Sequence, residues 1–582
     1  MNKSKPLGFL LSLFLPLSMI AQYPTRFETS NGTQTPTYAE GIAWYQRIAA
    51  DFKEIDIQTK GLTDSGFPLH LVLYSKNRKF DLAKLKAQGK AIFFINNGIH
   101  PGEPDGVDAS MLLLRDMALH LDRFPMLDSV VVALIPFYNI GGTLNRSSTS
   151  RVSQNGPEEH GFRGNARNYD LNRDFIKADT RNALSFEAIF QELDPDVFID
   201  THVSNGADYQ YTMTFCYAQE EKLGGVLGAF HKETFLPYLY DHMKKTGFEA
   251  TPYVNAFGQT PDKGFSQFPD WPRYSTGYAA LFHTMGMMTE THMLKPYPQR
   301  VKATYALLEG VLQFLGKHRA RLLAVRQATK EAVKTQAEFP LTWKLNGEKF
   351  SEVEFKGYEP EYPLSQVSGQ KRLYYNRDKP LNKIVPFYDH YDVDLKTTKP
   401  SAYIIPQGWH NVIERLKVSG VQMRQLQQDS TLELEVYIID AFQSAKNPYE
   451  GHHQNTSVDL HTERHQINLR KGDFFIPLNQ WRNRFIVEVL EPQGVDSYFR
   501  WNFFDTVLQE KGGYSSYVFE DLAAELLQKD PALKRKLEEK KQGDKAFAEN
   551  AGAQLDFVYR NSIYWEKEYM RYPVYRVVAN SK

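Results

Sequence analysis

At 582 residues, with 42% hydrophobic and 24% charged side chains, the chain has globular composition and is too long for one hydrophobic core, so two or more domains are expected. Lysine plus arginine and aspartate plus glutamate both number 69, which leaves no basic excess to attract nucleic acid and no acidic tail. The single cysteine, Cys216, excludes a disulfide framework and reads as a small buried apolar residue rather than a nucleophile.

The chain opens with Lys3 and Lys5 ahead of an apolar run, Leu7 to Ile20, which is broken by Pro16 and ends at Ala21. This pattern predicts a cleaved export signal over residues 1–21 and a periplasmic or extracellular mature chain. The run is shorter than the roughly 20 residues that span a bilayer, and no later stretch is longer, so no transmembrane segment is expected after cleavage.

Tyr38 to Phe52 has a helical period, with Ile42, Tyr45, Ile48 and Ala49 on one face. Strand-like runs follow at Leu69 to Leu73, Ala91 to Ile95, Val130 to Ile135 and Val197 to Ile199, interleaved with helical stretches Ala109 to Leu121 and Arg181 to Leu193. Apolar strands alternating with amphipathic helices predict an α/β domain: a mixed, largely parallel, doubly wound sheet with helices on both faces. Residues 300–336 read as a closing helix. Beyond Phe339-Pro340 the texture changes to alternating runs such as Thr431 to Ile438, and Arg484 to Leu490 is read in the same way. These predict a second, mainly antiparallel β domain, with helices returning over Tyr517 to Lys541 and a break at Asp530-Pro531. The boundary is expected near 335–345.

The chemistry concentrates at two strand ends. The run Ala91 to Ile95 leads into Asn96-Asn97-Gly98-Ile99-His100-Pro101-Gly102-Glu103, where a turn through Pro101-Gly102 can fold a carboxylate back beside an imidazole. The run Val197 to Ile199 ends at Asp200-Thr201-His202 and delivers a second imidazole to the same sheet edge, where open α/β sheets bind substrates. Two histidines and one carboxylate suit zinc with one coordination position left open.

These motifs, with Tyr169-Asp170-Leu171-Asn172-Arg173-Asp174-Phe175 and then Thr289-Glu290, resemble in order and spacing the zinc metallocarboxypeptidase family, the carboxypeptidase A-like peptidases. The resemblance covers the first domain. It implies a secreted member hydrolysing C-terminal peptide bonds, with residues 22–338 as the catalytic domain and 339–582 as a C-terminal β-rich domain with terminal helices. It implies one zinc per chain, held by His100, Glu103 and His202, with Asp170 hydrogen-bonded to a ligand imidazole. Asn172 and Arg173 would hold the free carboxylate of the substrate, and Arg163 would polarise the scissile carbonyl, with Arg167 and Arg151 as alternatives. Glu290 would act as general base and pass its proton to the leaving amine.

The chain also departs from the family. Asn139-Ile140-Gly141-Gly142 replaces the usual Asn-Pro-Asp-Gly, and Glu290 is followed by Thr291-His292. Tyr274 and Tyr278 are both candidates for the tyrosine that covers the substrate, and Tyr217 to Gly286 is enlarged and is expected to wall the pocket. The substrate is accordingly a peptide or a muropeptide with a free carboxylate. Acyl-amino acids, or a non-catalytic envelope-binding role centred on the β domain, are the other readings. His452, His453, His461 and His465 read as solvated, His283 and His292 as surface or core, and Trp409, Trp481 and Trp501 as core; Glu158-Glu159-His160 would edge the pocket.

Overall fold

The structure, a computed structural model, describes residues 22–578, so the expected export signal lies outside the described residues. The central sheet contains β1 (Ile55–Leu62), β2 (Pro68–Tyr74), β3 (Ala91–Asn96), β4 (Val130–Ile135), β5 (Val197–Ser204), β6 (Met213–Tyr217) and β7 (Ala250–Pro252). After β8 (Phe265–Ser266), which joins another sheet, β9 (Met285–His292) completes it. The spatial order is β1-β2-β4-β3-β5-β9-β6-β7. The central strands β4, β3, β5 and β9 are mutually parallel. Towards the edges, β2 opposes both β1 and β4, and β6 opposes β9.

Every residue of β3 and of β4 is buried, the continuous apolar run of a strand covered on both faces. Successive side chains point to opposite sides. Phe93 and Ile95 enter one core with helices Tyr38–Asp51, Asp105–Leu119 and Tyr297–Thr335. Ile92 and Phe94 enter the other with helices Arg181–Leu193 and Ser275–Leu281. There Phe94 packs against Phe186 and Phe198, with ring centroids 5.6 and 5.2 Å apart.

Beyond Thr335 the chain forms β10 (Glu338–Leu345), β11 (Ser351–Glu361), β12 (Tyr374–Tyr388), β13 (Tyr391–Thr398), β14 (Ala402–Ile405), β15 (Arg424–Gln425), β16 (Ser430–Ser444), β17 (Asn455–Leu469), β18 (Phe474–Pro477) and β19 (Tyr575–Val577). They make a two-stranded sheet (β10-β13), the sheet β11-β12-β8 and a six-stranded sheet, β15-β18-β14-β19-β16-β17. All these pairings are antiparallel except β12–β8. Helices Ser516–Lys529 and Pro531–Gly543 follow, broken at Asp530. This part packs directly on the second face of the central sheet: Tyr403, Ile405, Val412 and Phe485 share one hydrophobic cluster with Phe94, Phe186 and Phe198.

Arg484 to Leu490, expected as a strand, is instead part of the helix Asn483–Leu490. Phe485, Ile486, Val487, Val489 and Leu490 are all buried, and a run of eight residues is too short for its one polar pair, Arg484 and Glu488, to set a helical period apart from a strand's. The helix shows in an ion pair at i,i+4, Arg484 Nε to Glu488 Oε1 at 2.7 Å. Of the three tryptophans, Trp501 is fully buried, while Trp409 and Trp481 are half-buried against the same cluster.

Candidate metal centre and cleft

Strands β3, β5 and β9 are neighbours whose C-terminal ends open on one crevice. Asn96 is in register with Asp200, and His202 with Glu290. After Asn96 the backbone turns at Gly98, whose φ of +67° favours glycine. The Glu103 N–H donates to His100 O at 2.8 Å, closing the Pro101-Gly102 turn. A Cβ at Gly102 would lie 2.5 Å from Arg151 Cδ, so a side chain there would have to push Arg151 aside.

This backbone brings His100 Nδ1 to 3.2 Å from Glu103 Oε1, and β5 brings His202 Nδ1 to 3.1 Å from Glu103 Oε2. One ligand atom from each of the three residues lies within 4.8 Å of the others, and all three side chains are buried. The far nitrogens are already engaged: His100 Nε2 donates to Asp170 Oδ1 at 2.8 Å and His202 Nε2 to Asp200 Oδ2 at 3.0 Å. Protons on Nε2 leave the Nδ1 lone pairs free, and His100 Nδ1 is buried with no hydrogen-bond partner. The residues therefore fit a divalent metal: two imidazole nitrogens and a carboxylate, each imidazole backed by a carboxylate.

The electrostatics agree. Burial opposes charge on the Glu103 carboxyl, but the Arg151 guanidinium and His100 outweigh it and hold the group well below its usual range. Burial likewise opposes charge on His202, while Asp200 and Glu103 outweigh it and raise its pKa well above the ordinary imidazole value. The field that attracts a proton there attracts a cation. Asp170 is also held below the carboxylate range, with His100 and Arg163 overcoming its burial. At Glu290 burial wins over the nearby His202, and its carboxyl is pushed up to about 7.

The ligand triad forms one wall of a cavity of about 600 Å³ that Arg151, Arg163, Asn172, Arg173 and Glu290 also line. Asn172 Oδ1 accepts the Ser275 N–H at 3.1 Å, fixing the amide. The Arg173 guanidinium lies over the Tyr274 ring at 4.5 Å and donates to Asn172 O at 2.9 Å. The three candidate arginines separate. Arg151 spends its nitrogens on Glu103 (2.6 Å), Gln154 (2.9 Å) and Val203 O (3.4 Å). Arg163 uses Nε and Nη2 on Asp170, at 3.0 and 2.8 Å, and keeps Nη1 3.7 Å from Glu103. Arg167 lies apart, 3.7 Å from Asp64 and stacked on Tyr169, outside the cleft.

Of the two tyrosine candidates, Tyr274 lines the cleft and Tyr278 is fully buried among Phe175, Phe190 and Phe282. The enlarged stretch supplies Tyr253, Phe257 and Phe268 to the walls, and Cys216 and Met288, directly opposed on β6 and β9, line it too. Asp200 was legible, since residues two apart on a strand share a face; Tyr253 carries no local signal. His283 and His292 are buried and donate from Nε2 to the backbone carbonyls of Trp481 and Ala207, both at 3.0 Å, away from the cleft. His160 pairs with Ser150 Oγ at 2.9 Å outside the cleft lining. His461 is exposed against Asp440 and Glu463, whereas His452 is half-buried against Asp179.

No model of a protein family matches the chain. Among solved structures it is similar to a metallo-carboxypeptidase from Burkholderia cenocepacia, at 16% identity and a TM-score of 0.36, covering 47% of this chain and 68% of that one. Among curated relatives it is 21% identical over 501 residues to Carboxypeptidase 2 of Trichophyton tonsurans, covering 82% of this chain and 83% of the relative. It is 19% identical over 504 residues to Carboxypeptidase 2 of Trichophyton rubrum, covering 81% and 84%. Carboxypeptidase likeness thus runs along more than 80% of the chain's length, and a buried His-Glu-His group stands at the strand ends of its mixed, largely parallel sheet.

Proposed function

We propose that the chain is a zinc-dependent carboxypeptidase that removes C-terminal residues from peptides outside the cytoplasm. The observation that carries this reading is the joint lining of one cleft by the His100–Glu103–His202 group, by Glu290 and by the Asn172–Arg173 pair. The export half rests on the apolar run in residues 1–21. No helix among the described residues is long and apolar enough to cross a membrane.

His100, Glu103 and His202 would hold one zinc, with Asp170 and Asp200 orienting the two imidazoles. When bound, zinc supplies Lewis acidity, lowering the pKa of water to about 7 and polarising a carbonyl. Arg173 presents a planar fork to the terminal carboxylate of the substrate, and Asn172 supplies an amide donor beside it. Arg163 donates its spare Nη1 to the scissile carbonyl, because the nitrogens of Arg151 are already committed. Glu290 takes the proton of the attacking water and returns it to the departing amine.

The test is a matched pair of peptides, one with a free C-terminus and one amidated. Release of the terminal residue is expected from the free peptide and slower by about 10²-fold or more from the amide, since the amide leaves a charged recognition group unpaired. Arg173→Gln should erase most of that preference. Equal rates on both peptides, or turnover of muropeptides alone, would contradict the peptide reading.

A further inference from the structure

One turn of the C-terminal part reaches the segment that carries Asp170. Tyr449 to His452 closes as a two-residue hairpin, with the Tyr449 N–H donating to His452 O at 2.8 Å and the His452 N–H to Tyr449 O at 3.1 Å. Its central residues, Glu450 and Gly451, both have positive φ, +49° and +81°. That is the requirement of a type I′ turn, and glycine at the second position meets it. Glutamate at the first does not: asparagine, aspartate and glycine are the residues that tolerate this conformation. Backbone held in a disfavoured region points to a constraint imposed from outside the turn.

The constraint is visible. Glu450 Oε2 accepts the backbone N–H of Asp170 at 2.9 Å, across 280 residues of sequence. Beside it Gly451 lies flat on Tyr169, where a Cβ would come 2.7 Å from the hydroxyl. His452 Nε2 meets Asp179 Oδ2 at 2.7 Å on the other flank. The turn thus clamps residues 169–179, the segment that carries Asp170, Asn172 and Arg173. Glutamate has the reach for this contact, whereas the residues that suit the turn are shorter.

We propose that Glu450 is a positioning residue of the catalytic centre: by anchoring the Asp170 backbone it sets the Asp170 carboxylate against His100 and aims Asn172 and Arg173 into the cleft. The C-terminal part then completes the site that the central sheet begins. This inference rests on the metallocarboxypeptidase reading above.

The test compares Glu450→Gln with Glu450→Asn in the full chain, reading zinc affinity by chelator competition, kcat/KM on a peptide with a free C-terminus, and Tm. Glutamine keeps the acceptor oxygen and its reach; asparagine suits the left-handed turn and falls short of Asp170. Glu450→Asn is expected to lose about tenfold or more in zinc affinity and kcat/KM, the cost typical of removing an outer partner of a metal site, with Tm little changed, while Glu450→Gln stays within about threefold of the parent. Wild-type zinc affinity and kcat/KM in Glu450→Asn would overturn the proposal. So would equal losses in both variants in step with a lowered Tm, the signature of a turn that matters only for folding. A parent chain that binds no zinc and releases no residue overturns the parent reading with it, whereas an active parent and an equally active Glu450→Asn variant overturn this inference alone.

Discussion

Replacing Glu290 with glutamine is expected to lower kcat/KM on a peptide with a free C-terminus by about 10²–10⁴-fold, the usual worth of a general base, while leaving bound zinc unchanged. Glutamine keeps the shape of the side chain and its place on β9 beside His202, so the ligand group is undisturbed. It cannot accept and return a proton. Burial raises the Glu290 carboxyl to about 7, so it is a far better proton acceptor than an ordinary surface carboxylate. The base must be ionised, so the rate of the parent falls as pH drops through the pKa of Glu290. A dication at the neighbouring ligand group draws that value below 7, which places the acid limb under neutrality. Steady-state rates from pH 4 to 8, with metal content measured on the same samples, check both parts. Unchanged turnover in Glu290→Gln would remove Glu290 from the reaction.

The second large effect is expected at the ligand group. His202→Ala should abolish measurable hydrolysis and zinc binding together, because it leaves the Glu103 carboxylate facing one imidazole instead of two. Zinc added to the parent raises Tm, since a ligand that binds only the folded chain stabilises it by about 4 kcal/mol at 1,000 times its Kd. That rise should vanish in His202→Ala. Chelation of the parent followed by return of zinc should switch activity off and on. Activity that survives chelation, or a zinc-dependent Tm shift that survives in His202→Ala, would count against the assignment.

How far the site was legible depends on where its parts lie in the chain. His100, Glu103 and His202 could be read because each follows an apolar run that ends in a short motif, and runs of that kind become adjacent parallel strands. Asp170 and the Asn172–Arg173 pair were legible only through the family resemblance, since the irregular segment between Phe137 and Thr180 has no periodicity to place them. For the same reason the sequence favoured Arg163 only by its distance from Arg173, with Arg167 and Arg151 as alternatives, and their partners are what distinguish the three: Asp170, Asp64 and Glu103. Glu450 left no local trace, because its contact is one side-chain oxygen meeting a backbone N–H 280 residues away.

The same contrast holds for the fold. Strands β3 and β4 were readable because burial on both faces writes an unbroken apolar run. The helix Asn483–Leu490 was misread because it is short and mostly apolar, and only the spacing of Arg484 and Glu488 marks it as a helix. Nothing in the short apolar run Ala402–Ile405 foretold that Tyr403 and Ile405 share a core with Phe94: that a strand is buried is written locally, but what covers it is not.

The most direct test of the central claim is anomalous scattering at the zinc edge from crystals of the zinc-loaded chain. One peak per chain is expected, within bonding distance of His100 Nδ1, His202 Nδ1 and a Glu103 carboxylate oxygen. A zinc-loaded crystal with no peak between those three residues, or with its peak at the exposed histidines of the β16–β17 hairpin, would contradict it.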